Sequence, residues 1–186
     1  MYRYTLLLEL IMQQYHLAVA HDWENQPLFK AVYDGDWVKT KLFLDQHPGA
    51  VRVRGPGLRK NALHIAVTEE HLHIVERLME EMTEQELEME RDDLFTALAA
   101  AVEVGNLSIA ICLLRKNPGL ISIAHNFHGL PVVHAVTSGQ MQMVPYLYST
   151  TPDQDLTQRH EGRLGAALLA QCILVQQFGN ITALFP

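Results

Sequence analysis

The sequence predicts an all-α fold, a solenoid in which short helical hairpins stack one after another. The first observation is a period, because Ala31, Ala66, Ala101 and Ala135 recur at intervals of 35, 35 and 34 residues. The second is a shared local pattern around each alanine. A small residue or proline opens the unit, an aliphatic residue follows, and after the alanine come a valine, a turn residue and a large apolar side chain. A fixed period of this length is typical of a repeat array.

The pattern of each unit predicts two short antiparallel helices. In the opening unit, the apolar spacing places the first helix near residues 27–34 and the second near residues 37–46. Gly35 suits the end of the first helix, because the left-handed backbone conformation that terminates a helix costs glycine little. One such hairpin cannot bury enough apolar surface alone, so the units are expected to stack in a row.

The second unit resembles the ankyrin repeat. Its first helix reads Asn-Ala-Leu-His-Ile-Ala from Asn61 to Ala66, and its second reads Leu-His-Ile-Val-Glu-Arg-Leu from Leu72 to Leu78. The resemblance covers residues 26–150 and, more weakly, residues 162–185. It implies an ankyrin-repeat solenoid of about four complete repeats plus a truncated fifth.

The resemblance also divides the chain into three parts. It implies an N-terminal capping helix or extension at 1–25, ankyrin repeats 1–4 at 26–159 and a partial fifth repeat at 160–186. A signal peptide is the alternative for the first part, although Glu9 interrupts its apolar stretch. Because solenoids need polar caps, we expect that the chain is truncated and self-associates or frays at its uncapped C-terminal end.

Some turns resemble those of plant ankyrin-repeat proteins, namely Gly35-Asp36-Trp37 and the pairs Pro48-Gly49 and Pro118-Gly119. Many of those proteins carry a C-terminal membrane region called the PGG domain. This likeness implies an alternative function, in which the chain is the soluble regulatory part of a stress or defence signalling protein that lacks its membrane region. The sequence itself holds no run of about 18 apolar residues, which a membrane span would need.

Departures from the ankyrin pattern concern its threonine and histidine. The threonine before the first helix is present only as Thr96, and the motif histidine only as His64. His134 lies one position later than the motif histidine and is expected to point elsewhere. We therefore expect that the threonine–histidine hydrogen-bond network is largely missing, that apolar packing holds the array together and that stability is modest. The residues that replace the threonine are Gln26, Asn61 and Leu130.

The acidic residues are concentrated in one stretch of the chain. From Glu76 to Asp93 there are nine acidic and two basic residues, and their net charge of −7 equals that of the whole protein. The basic stretch from Gln46 to Thr68 carries no acidic residue but four basic ones, Arg52, Arg54, Arg59 and Lys60. The resemblance places both stretches in neighbouring finger loops, where they either neutralise each other or leave the acidic finger to meet a basic partner surface. The balanced remainder of the chain argues against nucleic-acid binding.

Neither a catalytic nor a metal site is predicted. Cys112 and Cys172 fall at aliphatic positions of predicted helices, so we expect buried, reduced thiols and a cytoplasmic location, or the cytosolic face of a membrane in a longer form. His71 and His73 would point to different sides of a helix, and His125 and His128 fall in a predicted turn without a nearby cysteine or carboxylate. No cofactor and no small-molecule substrate is predicted, and the protein is expected not to be an enzyme.

The predicted function is a protein–protein interaction scaffold. In the ankyrin arrangement, the first helices and the fingers form a concave face whose exposed residues bind a partner protein. Matching the motif positions gives a mixed apolar and polar set, which suits a protein or peptide partner. Trp37, at the turn between helices, is expected to be a packing residue. The candidate partner-binding residues are Lys30, Tyr33, Ile65, Thr68, Glu69, Ala100, Glu103, His134 and Thr137.

Overall fold

The computed structural model describes residues 26–55, 60–90, 95–124, 129–157, 165–166 and 168–170, and these residues are mostly helical. Their α-helices are, in chain order, α1 Gln26–Tyr33, α2 Trp37–Gln46, α3 Ala62–Thr68, α4 Leu72–Glu80, α5 Glu84–Leu87, α6 Ala97–Val104, α7 Leu107–Lys116, α8 Pro131–Thr137, α9 Val144–Thr150 and α10 Asp153–Thr157. The 3₁₀ helices Pro48–Arg52 and Pro118–Ser122 follow α2 and α7.

The main helices form two rows. The inner helices α1, α3, α6 and α8 each pack against the next one, and the outer helices α2, α4, α7 and α9 each pack against the inner helix that precedes them. Each hairpin therefore contacts mainly its neighbours, as in a solenoid. The all-α solenoid is confirmed. The two predicted opening helices are also confirmed, at Gln26–Tyr33 and Trp37–Gln46.

The recurring alanines lie in the inner row and are buried. Ala31 is 4% exposed, and Ala66, Ala101 and Ala135 are 0% exposed. The aliphatic residue three positions before each alanine is buried as well, so every inner helix contributes a small and a large apolar side chain to the core. Because the alanine side chain is only a methyl group, one inner helix can approach the next closely.

A residue in the left-handed conformation ends each inner helix. The φ angles are 73° at Gly35, 79° at Gly105 and 74° at Gly139. In the second repeat the same position is taken by Glu70, with a φ of 58°. Outside glycine this conformation costs about 1–2 kcal/mol, so the surroundings of Glu70 must hold it in place.

From the second repeat onward, a side chain links the turn of each repeat to the turn of the preceding repeat. In every linked turn, the donor is the residue that directly follows the left-handed one. This row of contacts fixes the spacing of the repeats at the turn end. The contacts are His71 Nε2 to the Tyr33 carbonyl oxygen at 3.0 Å, Asn106 Nδ2 to Glu70 Oε2 at 2.9 Å, and Gln140 Nε2 to the Glu103 carbonyl oxygen at 3.2 Å.

Part of the threonine–histidine network is present after all. Asn61 replaces the threonine, and its Oδ1 accepts from the backbone N–H of His64 at 2.9 Å and lies 2.7 Å from His64 Nδ1. On the other side of the ring, Nε2 lies 3.0 Å from the carbonyl oxygen of Phe95 in the next repeat. The expectation that this network is largely missing is thus wrong for the second repeat. It is correct for the fourth, where Leu130 makes no side-chain cap.

The two ends of the chain were the subject of predictions that stay untested. The proposed N-terminal cap at 1–25 lies outside the described residues, as does most of 160–186. Residues 165–166 and 168–170 are helical, and Leu168 packs into the core. A fifth repeat, a truncation and self-association at this end therefore remain predictions. Among the described residues, no helix combines the length and apolar character that crossing a membrane requires.

We expect Ala101→Leu to lower the free energy of unfolding by about 1–3 kcal/mol, because three added carbon atoms overfill a contact between inner helices. Urea unfolding followed by circular dichroism measures this. Ala124→Leu is the control, since Ala124 is exposed and lies outside the inner row. Equal unfolding midpoints for the two variants would contradict the close stacking at Ala101.

Candidate partner-binding groove

A groove lies between α1 and α3 on the inner row of helices. It encloses about 410 Å³ and is named here the inner groove. Its lining combines three apolar or aromatic side chains with three charged ones, a mixture that suits recognition of a protein segment. The lining residues are Phe29, Lys30, Tyr33, Lys60, Ile65 and Glu69.

The apolar part of the inner groove has a fixed floor and one exposed aromatic ring. Phe29 is 7% exposed, and Ile65 is half-buried and packs against the core. A Cβ atom added to Gly55 would lie 2.8 Å from the Phe29 ring, so the backbone at Gly55 presses directly on that ring. Tyr33 is 59% exposed and is free to contact a partner.

The two long sides of the inner groove run in the same direction. Both α1 and α3 end at a left-handed turn, and the His71 contact to the Tyr33 carbonyl joins the two turns. At the other end, the backbone N–H of Gly55 donates to the carbonyl oxygen of Lys60 at 2.8 Å and closes the base of the first finger. The groove therefore has a finger end, near Lys60, and a turn end, near Glu69.

Four of the nine candidate residues line the inner groove. Thr68 lies on the same helix and is half-buried, and its hydroxyl donates to the His64 carbonyl oxygen at 2.7 Å. Glu103 and Thr137 are exposed further along the array. The partner-binding role of these seven residues stays a prediction. The four groove residues are Lys30, Tyr33, Ile65 and Glu69.

The other two candidates, Ala100 and His134, were expected to be exposed, and this is wrong. Ala100 and His134 are each 1% exposed. Phe95, which precedes the cap of α6, places its ring edge-on to the His134 ring with 5.3 Å between the centroids. The aromatic pair joins repeats 3 and 4, and neither Ala100 nor His134 has the exposed surface that partner binding requires.

Phe29 and Lys60 also line the groove but are not among the predicted partner-binding residues. Phe29 lies within the repeat motif, and Lys60 lies within the basic stretch. The signal for Lys60 in the sequence is the position just before the helix cap, which holds Lys60 in the second repeat and Phe95 in the third. The lysine lines the inner groove, whereas the phenylalanine packs against His134 of the following repeat.

The acidic stretch does not lie only in a finger loop. Its first residues, Glu76 and Glu80, are on the outer helix α4, and Glu84 and Glu86 are in the following short helix α5. Arg52 from the basic stretch forms an ion pair with Glu86. This pair supports the interpretation that the two stretches neutralise each other in part. The placement of the whole stretch in a finger is wrong.

Glu86 has a lowered pKa. Its Oε2 accepts from the backbone N–H of Thr83 at 2.7 Å, within a capping box that begins α5. That hydrogen bond, and then the one from Arg52, hold the pKa of Glu86 below the ordinary value of 4.5. Both contacts favour the ionised carboxylate.

Cys112 is half-buried rather than buried, which corrects the expectation from its aliphatic position. It lines an outer groove of about 550 Å³ between α4 and α7, together with Glu76, Arg77 and Arg115. Burial, and secondarily the charge of Glu76, raises the pKa of the thiol above its ordinary value of 9.0. The thiolate is the reactive form, so Cys112 is a weak nucleophile at neutral pH. Cys172 lies outside the described residues.

The histidines include potential metal ligands. In the part of the chain that the structure describes, no group of three or more histidine, cysteine, aspartate or glutamate residues could hold a metal ion. His71 instead contacts the Tyr33 carbonyl oxygen. His125 and His128 lie outside the described residues. Trp37 is partly buried and packs against the core, as predicted for a packing residue.

Comparison with known proteins agrees with the stacked hairpins. A family model described as ankyrin repeats in three copies matches residues 63–160, more than half of the chain. The protein belongs to the ankyrin-repeat family. The sequence has no significant match among the curated proteins.

Solved structures share the fold of this ankyrin-repeat protein. One is a chain of the crystal structure of the yeast ribosomal protein Rps3 in complex with its chaperone Yar1, with a TM-score of 0.59 and 18% identity. The match covers 67% of this chain and 91% of that chain. At this identity, the likeness is one of fold alone.

We expect Gly55→Ala to lower the free energy of unfolding by about 1–3 kcal/mol, because the new methyl group overlaps the buried Phe29 ring. Gly49→Ala is the matched control, since a Cβ atom there meets nothing within 4 Å. It should leave stability unchanged or raise it by about 0.4–1 kcal/mol. Urea unfolding of both variants measures the difference, and a Gly55→Ala protein as stable as the control would argue against the tight contact at Phe29.

We expect Glu86→Gln to destabilise the protein at neutral pH but not in acid. Because the folded-state pKa of Glu86 is lowered, its carboxylate stabilises the fold above the ordinary pKa of 4.5. That stabilisation is lost as the pH falls through the lower, folded-state pKa. The difference in unfolding free energy between wild type and variant should therefore shrink as the pH falls below 4.5 and vanish once the pH is below the folded-state pKa.

Chemical denaturation across this pH range tests the Glu86 prediction. Glu84→Gln serves as the control, since its exposed side chain takes no part in the capping box or the Arg52 ion pair. If the difference in unfolding free energy between wild type and Glu86→Gln stays constant with pH, the lowered pKa of Glu86 does not contribute to stability.

Proposed function

We propose that this protein is a non-catalytic scaffold that binds a partner protein through the inner groove. The observation that carries the proposal is the open groove around Tyr33, where an exposed aromatic ring lies beside apolar and charged side chains. Ankyrin repeats are generally protein–protein interaction modules. The similar yeast structure contains an ankyrin-fold chain in a protein complex. We place the protein in the cytoplasm.

Tyr33 is the proposed central contact. It offers a large aromatic surface and a hydroxyl group, and tyrosine is enriched among the residues that dominate binding at interfaces. Ile65 and Phe29 lie beside it and supply an apolar surface already held in place by the core. A preformed surface of this kind reduces the entropy lost when a partner binds.

A second candidate function is the regulatory part of a plant-type ankyrin/PGG membrane signalling protein. It is favoured by the Gly35-Asp36-Trp37 turn and by the two Pro-Gly pairs, each of which begins a 3₁₀ helix. The inner groove would then bind a signalling partner. A longer transcript that encodes C-terminal apolar segments of about 20 residues would support this candidate.

The proposed function is tested by photo-crosslinking from position 33. A photoreactive phenylalanine analogue replaces Tyr33 in one protein and Leu42 in the control, because both side chains are 59% exposed and Leu42 is on the outer helix α2. We expect a distinct partner protein to be crosslinked from position 33 only.

The crosslinked partner is then purified for a direct binding measurement. Tyr33→Ala should weaken its affinity by at least about 2 kcal/mol, or roughly 30-fold, as for a residue at the centre of an interface. Leu42→Ala should leave the affinity unchanged. Circular dichroism checks that both variants keep their helicity. Equal affinity for Tyr33→Ala and wild type would overturn the inner groove as the binding site.

A further inference from the structure

We infer that the inner groove selects a partner segment in one direction, with a carboxylate at the finger end, an apolar side chain in the middle and a basic group at the turn end. This inference rests on the proposed function, because it names the chemistry of the segment that the same groove would bind. It is carried by the charges at the two ends of the groove and by the apolar surface between them.

The two end charges are well separated. Lys60 directly precedes Asn61, which caps the start of α3, and Glu69 caps its end. The seven residues of α3, on the order of 10 Å of helix, separate their backbones. Both side chains line the same groove, so a segment lying along α3 meets a positive charge at one end and a negative charge at the other.

The positive end is strengthened by the finger base. The hydrogen bond from the Gly55 N–H to the Lys60 carbonyl oxygen holds the two sides of the finger base together. Arg54, next to Gly55, is half-buried at the same place. Within the described residues, neither Lys60 nor Arg54 forms an ion pair. In a protein with a net charge of −7, this finger base is a local positive site.

Lys30, the third charged residue that lines the groove, does not change the arrangement of a positive finger end and a negative turn end. Lys30 forms an ion pair with Asp34 at 2.9 Å, and both side chains are exposed. The pair contributes little net charge to the middle of the groove. Glu69 forms no ion pair among the described residues, and Glu70 follows it at the turn. The turn end is therefore negative.

The apolar middle fixes the position of the segment, and the two ends fix its direction. Ile65 and Phe29 lie between the charged ends, with Tyr33 beside them toward the turn end, and these three accept an apolar side chain equally well in either orientation. A segment bound in the opposite direction would place its carboxylate beside Glu69 and its basic group beside Lys60. Such like-charge contacts disfavour that orientation.

The test begins with a phage-displayed library of random 12-residue peptides, selected on the full chain. Peptides that depend on Tyr33 are kept, by discarding those that bind Tyr33→Ala equally well. We expect the retained peptides to share an acidic residue, a central apolar residue and a basic residue in a constant order. A synthetic copy with the acidic and basic residues exchanged should bind about tenfold more weakly.

Variants of the groove then identify each end. Lys60→Glu should remove the preference for the acidic residue, Glu69→Lys should remove the preference for the basic residue, and the double variant should favour the exchanged peptide. The control exchanges equal charges on the outer groove, as Glu76→Lys with Arg115→Glu, and should change neither preference. Circular dichroism confirms that each variant is folded.

The outcomes separate this inference from the proposed function. If no peptide depends on Tyr33, the inner groove is not the binding site and both fall. If peptides depend on Tyr33 but show no constant charge order, or if the double variant leaves their preference unchanged, the proposed function stands and the directional inference is overturned. Inversion of the preference by the double variant alone supports it.

Discussion

The close approach of neighbouring inner helices is the constraint on which the rest of this structure depends. Four alanines with exposures of 4% or less set the distance between repeats. Because each hairpin contacts mainly its neighbours, an error in that distance would be passed along the array. The same spacing brings successive turns within hydrogen-bond distance and leaves room between α1 and α3 for the inner groove. Packing thus determines where a binding surface can exist.

Small differences between the repeats then give each part of the inner row its own surface. The position before the helix cap is occupied by Lys60 in one repeat and by Phe95 in the next. The phenylalanine ring covers His134, whereas the long lysine side chain lies at the rim of an open groove. A repeated scaffold therefore carries a local groove without any change in its backbone plan, which agrees with the general separation of fold from function.

The sequence was sufficient for the features that repeat and insufficient for those that do not. Helix positions and buried alanines follow from a pattern seen four times. The burial of Ala100 and His134 follows from packing in the third and fourth repeats, including the contact between the Phe95 and His134 rings, so motif matching alone could not predict it. The Arg52–Glu86 pair joins residues 34 apart, and only the three-dimensional spacing of the repeats brings them together. Likewise, Asn61 takes over a role that sequence comparison assigned to threonine alone.

Glu70 is the one described residue other than glycine with a positive φ angle, and its carboxylate is held by Asn106. The same asparagine also caps α7, because its Oδ1 accepts from the backbone N–H of Ile109 at 3.1 Å. One side chain thus stabilises both an unfavourable turn in the second repeat and the start of a helix in the third. The two repeats consequently do not behave as interchangeable modules, since removing the third would leave the second with an uncompensated backbone cost. Recombination that shuffles or deletes repeats in this chain is constrained to keep them together.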